Sequence, residues 1–361
     1  MNVHARQGIP LRPDPLAVRD DAMSSLVRAA LATIHSTRNK SVFATQYAKQ
    51  AWPEDKNADI ILRAPSDAAR LGNPVWAGAL AQTALAFLAG LVPLSAGADL
   101  LQRALQLSFG GAGKVLIPGI FVPMADFVAS GAPIPVVQGT SSTQATIEPC
   151  KFAVIIALSR EQFEGPNCEN FVKQALLESA GPSLDRRLFD NVAGVPELRP
   201  PGLLNGIVAT AASALTDPHA AMIADLSALA AKVAPRAGNS GIVFVMAPKQ
   251  AIAATLGTPK EFPYPLLTST ALPDGEVICV AANALVALME PVPRLDASNQ
   301  SAIHRETNPQ PIVAEDGTVA MPVMSSFQTD VVTLRMRWPL SWSLRASDAI
   351  AFITGAKWPT G

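Results

Sequence analysis

A glycine-rich run, GGAGKV at residues 110–115, has the composition of a loop that cradles phosphates. That chemistry needs glycines that expose backbone N–H groups, a lysine for the outer phosphates and a hydroxyl for magnesium. Its spacing requires a glycine where this chain has Ser108, and a Ser or Thr where it has Val115. Both requirements fail, so the run reads as the flexible base of a hairpin. Gly238-Asn239-Ser240-Gly241 falls short of a nucleophile elbow for a similar reason. The G-x-S-x-G spacing is absent, and Ser240 precedes an apolar run instead of following one. A turn is the reading there.

Metal and thiol chemistry find no better footing. The four histidines, His4, His35, His219 and His304, are scattered without paired spacing, and solvated side chains are expected. The three cysteines, Cys150, Cys168 and Cys279, are odd in number and lack a C-x-x-C spacing, which points to reduced thiols in the core and a reducing compartment. Asp185-Arg186-Arg187 and the pair Arg335/Arg337 are charge clusters. A solvated face is the plain reading of both. For Arg335 and Arg337, intersubunit salt bridges or contact with DNA stand equally open. No residue set supports a named reaction, so the catalytic, cofactor-binding and metal-ligating residues are none and no cofactor is expected.

The composition narrows the class. With 361 residues the chain can form two or three units with a real core. A net charge of −1 and a pI near 6.4 lack the bulk basic footprint of a nucleic-acid binder. Charged residues make up only 16% and the mean hydropathy is +0.25, which suits a chain whose surface is covered by partners. Thirty-one prolines and 23 glycines point to many extended, loop-connected segments. The start, MNVHARQGIPLRPDP, has no apolar core of a secretory signal.

The elements that would position these residues follow from periodicity. Residues 1–19 read as an extended arm, after which Asp20 or Asp21 caps a helix with Met23, Leu26, Val27, Ala30, Leu31 and Ile34 on its apolar face. A second short helix is expected over Ser41–Trp52. Leu71–Ala98 carries no charge, yet Asn73-Pro74, Gln82, Thr83 and Pro93 favour a core or interface helix over Val75–Leu91 rather than a membrane span. Residues 107–150 are short apolar pairs among Gly, Ser, Thr and Pro, with Lys114–Ile117 and Ala145–Ile147 as arms of a long hairpin and GAPIPVVQGTSSTQ near its tip. Phe152–Leu158 is a seven-residue apolar run that reads as a strand buried on both faces. Ser159 and Gln162 have capping-box spacing, Gly165-Pro166 breaks the short helix, and Asn167 caps a longer one. That helix places Phe171, Val172, Ala175, Leu176 and Ala180 on one side, with Phe171 against the strand. Gly181-Pro182 should kink or restart it.

Farther on, Pro196–Gly202 is a linker, and Thr216-Asp217-Pro218 starts a helix through Met222, Leu226, Leu229 and Val233 to Pro235. Strands at Ile242–Met246, Leu266–Thr268, Val277–Val280 and Ala284–Met289, with a helix at Pro248–Leu256, make one α/β unit. Glu290–Gly317 reads as a loop. Then Val332, Leu334, Met336 and Trp338 alternate with Val331, Thr333, Arg335 and Arg337; Pro339 interrupts, and Leu340, Trp342 and Leu344 continue.

Two stretches carry a resemblance. The apolar strand followed by SREQFEG and NFVKQALLESAGPSLDRRLFDN, and the distant SFQTDVVTLRMRWPLSWSLRASDAIAFITGAKW at residues 326–358, are similar to the major capsid proteins of tailed bacteriophages with the HK97-type fold. The resemblance spans residues 76 to 361. It implies an α+β fold with an N-terminal arm over 1–75 and a helix over 76–106 leading into the peripheral (P) domain. An E-loop hairpin would occupy 107–150, the P-domain spine helix 151–199, the axial (A) domain 200–320, and returning C-terminal strands 321–361. The implied function is structural, not enzymatic: a bacteriophage virion protein self-assembling through pentamers and hexamers into an icosahedral capsid around double-stranded DNA.

Neighbouring subunits would be tied by the arm and the E-loop. Scaffold, portal and decoration proteins are further partners, DNA contact is weak and non-specific, and no membrane is involved. Assembly is expected in the host bacterial cytoplasm. Some members cross-link a Lys to an Asn; Lys114 lies in the loop, but no acceptor aligns. An encapsulin-like nanocompartment shell is the nearest alternative, and an α/β enzyme with an unrecognised site is the alternative from another class.

Overall fold

The computed structural model describes residues 15–38, 42–63, 87–111, 113–118, 127, 144–165, 167–238, 241–257, 262–290, 293–303 and 324–358. In chain order, helices α1 (Pro15–Arg38), α2 (Ala44–Ala51) and α3 (Lys56–Arg63) come first. Helical residues 87–91 and a 3₁₀ turn, Val92–Leu94, then lead to α4 (Ala96–Arg103). Strands β1 (Leu105–Leu107), β2 (Val115–Pro118), β3 (Gln144–Ile147) and β4 (Cys150–Ser159) precede α5 (Arg160–Glu164) and the long α6 (Cys168–Leu188). After α7 (Pro218–Ala237) come β5 (Ile242–Met246), α8 (Pro248–Gly257), β6 (Leu266–Thr268), β7 (Val277–Ala281), β8 (Leu285–Met289) and β9 (Arg294–Ser298). The short β10 (Ala302–Ile303) and β11 (Met324–Ser325), the long β12 (Val331–Leu344) and β13 (Ile350–Ile353) complete an α+β fold.

Two sheets divide the work. In the first, β12 is central. It pairs antiparallel with β4 over ten positions, from Val331 opposite Ser159 to Leu340 opposite Cys150. Its other side takes β9 opposite Thr333–Arg337 and β8 opposite Leu340–Leu344, with β1 parallel beside β8. Val332, Leu334, Met336 and Trp338 are all buried as expected, but the alternation holds only from Arg335 to Trp338. Val331 and Thr333, expected on the other face, are buried too, with Thr333 bonded to Ser301 and to the Ser298 carbonyl. Trp338 lies edge-on to Phe87 and donates its indole N–H to the Glu290 carbonyl at 2.9 Å. Pro339 does not interrupt the strand. It falls where the neighbour changes from β9 to β8, so its missing N–H breaks neither ladder, and its carbonyl accepts from Glu290 at 3.0 Å.

The second sheet runs β13-β7-β5-β6. Its β5 and β7 are buried on both faces, as is β8 of the first sheet, whose Val286 and Leu288 pack with Phe109, Ile117 and Ile147. Val243, Val245, Ile278 and Val280 join the core under the first sheet, whereas Phe244, Met246, Val277, Cys279 and Ala281 pack with Met222, Leu229 and Val233 of α7. This double burial explains the uninterrupted apolar runs IVFVM and VICVA. The helix start is as read from sequence. Asp217 caps α7 by accepting from the N–H groups of His219 and Ala220, and Pro218 takes the first helical position.

Several readings change. β4 is an edge strand with one face outward, because α6 covers only the other; Ala153 and Ala157 are exposed and Ile155 is 58% exposed. The predicted strand at 284–289 belongs to the first sheet as β8, and β13 from the C-terminal segment fills its place in the second. Part of the supposed loop 290–317 is the paired strands β9 and β10, while 304–317 lies outside the described residues. Residues 15–19 are the start of α1 rather than an arm, so neither Asp20 nor Asp21 is its cap; proline suits a first helical turn. Leu26, Val27, Ala30, Leu31 and Ile34 are buried as expected, against the first sheet and α6. Arg28 fastens α1, donating to Asp55 and Glu169 at 3.0 Å each. The second short helix is α2, and α3 was not foreseen. Of the apolar stretch 71–98, residues 71–86 lie outside the described residues; Phe87, Leu88 and Leu91 are buried, and no helix among the described residues is long and apolar enough to cross a membrane.

The capping box forms in full: Ser159 accepts from the Gln162 N–H and the Gln162 side chain returns to the Ser159 N–H. Asn167 makes no such bond. α6 passes through Pro182 without restarting. Gly181 lies against the 3₁₀ turn, where a Cβ would stand 3.1 Å from the Leu94 carbonyl oxygen, so glycine serves close packing there. Pro182 points outward.

The largest departure concerns Asp185, read as part of a solvated cluster. It is 3% exposed. Its Oδ1 accepts from the Ser95 hydroxyl at 2.5 Å and the Gly97 N–H at 2.8 Å. Its Oδ2 accepts from the Ala96 N–H at 3.1 Å and the Ser269 hydroxyl at 2.6 Å. Ser95 also caps α4, accepting from Ala98 at 2.9 Å. Asp185→Ala would strand these donors away from water, at ~1–3 kcal/mol for each unsatisfied group. Urea unfolding of the purified chain should show a loss of about 3 kcal/mol or more, with Arg186→Ala, an exposed neighbour, within about 0.5 kcal/mol of wild type.

Burial also pushes the Glu276 carboxyl above the usual range for glutamate. An acid whose folded pKa is raised binds more protons folded than unfolded, so it subtracts stability as pH rises through that value. Glu276→Gln should therefore melt higher than wild type at pH 8. The difference should close below the ordinary glutamate pKa of about 4.3, as read by calorimetry across that range.

Candidate assembly interface

Among the described residues the chemistry-bearing side chains do not converge. Gly110 and Gly111, with φ of 56° and 81°, make a turn between β1 and β2. Beyond it Lys114 donates to Glu148 Oε1 at 2.6 Å across the base of the β2–β3 hairpin. That hydrogen bond, with the carboxylate's charge behind it, raises the lysine pKa and turns the ammonium away from any phosphate cradle. His219 Nε2 lies 2.8 Å from the Gly257 carbonyl, and His35 stacks on Tyr47 at 3.8 Å; both are held by the chain rather than simply solvated. His4, His304, Asn239 and Ser240 lie outside the described residues.

The three cysteines are free and buried, as read. Burial raises each thiol pKa, Cys279 to about 12, which keeps them protonated and inert. Among the described residues no group of three His, Cys, Asp or Glu could hold a metal. An open groove of about 300 Å³ runs beside Trp342, with Pro201, Asn205 and Arg345 in its wall and no His, Cys, Asp or Glu. Trp342 closes one side by donating to the Pro201 carbonyl at 2.8 Å. Nothing there activates a nucleophile or a water.

What the chain does present is surface. On the outer face of the first sheet, β4 offers Ala153, Ile155 and Ala157. Beside them on β12 stand Arg335 and Arg337, with Thr333 in the same row but buried and bonded to Ser301, and beyond those Ser298, Asp296 and Arg294 of β9. Arg335 and Arg337 both donate to Asp296 Oδ2, at 3.0 and 2.8 Å. The pair is partly exposed, in keeping with the solvated face read from sequence, and shares one carboxylate within the chain. Two guanidiniums on one carboxylate leave the row net positive. Other large apolar side chains are exposed on separate elements: Leu116 on β2 at 63%, Phe171 on α6 at 47%, and Phe327 before β12 at 76%. The β2–β3 hairpin itself joins the arms read from sequence, Val115 opposite Ile147 to Pro118 opposite Gln144.

No protein-family model and no curated protein matches the chain. Solved structures do. A chain of Mycobacterium phage Adephagia is similar at 16% identity and a TM-score of 0.49, covering 72% of this chain and 89% of that one. A chain of the satellite phage P4 procapsid that includes the size determination (Sid) protein gives 11%, 0.47, 74% and 97%. A capsid chain of the empty GTA particle gives 17%, 0.41, 72% and 90%. At such identities and scores the likeness transfers no residue role.

Sequence reasoning missed one buried anchor and misplaced one apolar side chain. Asp225 is buried in α7, accepting the Trp358 indole N–H at 2.8 Å and the Ser213 N–H at 2.7 Å, and so ties the C-terminal segment down. Phe171 was placed in the core, but the buried stripe of α6 is Val172, Leu176, Ala180, Leu184 and Leu188. A spacing of four positions from Val172 was the available signal. Leu176→Asp should therefore yield insoluble or unfolded chain, since an unpaired buried charge costs several kcal/mol. Phe171→Asp should keep the wild-type circular dichroism and melt within about 1 kcal/mol of it.

Proposed function

We propose that the chain is the major capsid subunit of a tailed phage or prophage, with the HK97-type fold. It assembles through pentamers and hexamers into an icosahedral shell around double-stranded DNA and catalyses no reaction. One observation carries this reading. The two distant stretches that resemble capsid proteins are neighbours in space, β4 against β12 over ten paired residues. The chain also spends its apolar surplus outward, on β2, β4 and α6, where a free monomer would gain nothing from it.

On this reading residues 1–75 form the N-terminal region, 76–106 lead into the P domain and 107–150 are the E-loop. Residues 151–199 carry the spine, 200–320 the A domain and 321–361 the returning strands. The hairpin and the residues ahead of α1 engage neighbouring subunits, α1 itself being packed in this chain's own core. Scaffold, portal and decoration proteins are the further partners, DNA is held weakly and without sequence preference, and the product resides in the virion after assembly in the bacterial cytoplasm.

Negative-stain microscopy of purified protein, with nuclease treatment before lysis of the particles, tests the reading. Closed shells or capsomer rings are expected, and nuclease-protected DNA separates a phage capsid from an encapsulin-like shell filled with protein. A monodisperse monomer at every salt and concentration tried would overturn it.

A further inference from the structure

β4 ends the first sheet. Among the described residues it pairs with β12 alone, which leaves the backbone groups on its other side without a strand. Such edges recruit further strands, and proteins that must avoid this blunt them with charges, prolines or bulges. The strand CKFAVIIALS has a single charge, Lys151, and no proline. Its side chains alternate regularly, with Lys151, Ala153, Ile155 and Ala157 outward and Phe152, Val154, Ile156 and Leu158 more buried.

The order of residues is also nearly symmetric about Ile155. Ala153 matches Ala157, Val154 matches Ile156, and Phe152 matches Leu158 in character. Place two copies of the strand antiparallel with Ile155 at the centre. Ile155 then meets its own counterpart, each Ala153 faces an Ala157, and Lys151 faces Ser159, so no like charges oppose one another. A surface that complements itself is what a two-fold contact requires. Arg335 is in register with Ile155, so the two Arg335 rows would stand three strand spacings apart, roughly 14 Å. That exceeds the screening length of about 8 Å at physiological salt.

We propose that β4 pairs antiparallel with β4 of a second copy of the chain about a two-fold axis at Ile155, joining two first sheets into one. The pairing rests on the shell reading for its setting and names one contact by which subunits are joined.

The test uses the full chain with Ile155→Lys, Ile155→Glu, and an equal mixture of the two. Since Ile155 is more than half exposed, both variants should keep wild-type circular dichroism and melting. Each alone should lose self-association by at least about tenfold in sedimentation. The mixture should recover it, because only a two-fold contact sets residue 155 against itself. Ile155→Cys should give a covalent dimer on oxidation, while Ala153→Cys should do so only when mixed with Ala157→Cys. Wild-type association in both charged variants, or loss that mixing does not restore, would overturn the pairing. In either case wild-type particles by microscopy would leave the shell reading standing; a wild type that never associates would sink both.

Discussion

A single buried carboxylate holds the parts of this molecule in place. Asp185 sits on the long α6, yet its four donors come from the cap and first turn of α4 and from Ser269, just past β6 in the second sheet. Charge-assisted bonds of this kind are about twice as strong as neutral ones, and the N-terminus of α4 adds its own partial positive charge. The consequence is geometric. The helix that backs the first sheet, the helix that precedes it and the second sheet cannot move apart without exposing an anion that has no other partner.

Around that point the two sheets face opposite problems. The second is covered twice, by the common core on one side and by α7 and α8 on the other, so its strands need no polar face. The first is covered once along β4 and β9, and a second time only at β8, where Val286 and Leu288 pack with Phe109, Ile117 and Ile147. Its outer face carries arginines near the middle and aliphatic residues at the edge, a mixture too apolar to be indifferent to other protein and too charged to be core. The second buried carboxylate, Asp225, binds the Trp358 indole far along the chain and so holds the C-terminal segment on the second unit.

Local signals were legible wherever a short stretch decides its own structure. The Ser159–Gln162 capping box, the Asp217-Pro218 helix start and the period-two pattern of β12 all depend on residues within a few positions of one another. Depth was not legible. An apolar run such as FAVIIAL looks the same on an edge as in the middle of a sheet, because periodicity does not report what lies on the far side. Nor could Asp185 be distinguished from its exposed neighbours Arg186 and Arg187 by type; its donors lie 84 to 90 residues away. Phe171 misled for the converse reason. Size suggested core, but the helix phase set by Val172 and Leu176 turns it out. The outward apolar surface was legible only as a surplus of apolar residues, without an address.

The central place of β12 also bears on how the chain is made. β4, β8 and β9 all pair with it, and their pairing partners span residues 150 to 298, whereas β12 itself begins at Val331. No two of those three strands are joined to each other in the sheet. On a ribosome adding roughly 5–20 residues per second, the first sheet has no template until its last long strand emerges, many seconds after β4 has been exposed. Contacts so distant in sequence also slow folding once the strand is free. The finished outer face, with its edge and its arginine row, therefore exists only on subunits that have left synthesis behind, and growing polysomes do not display it to one another.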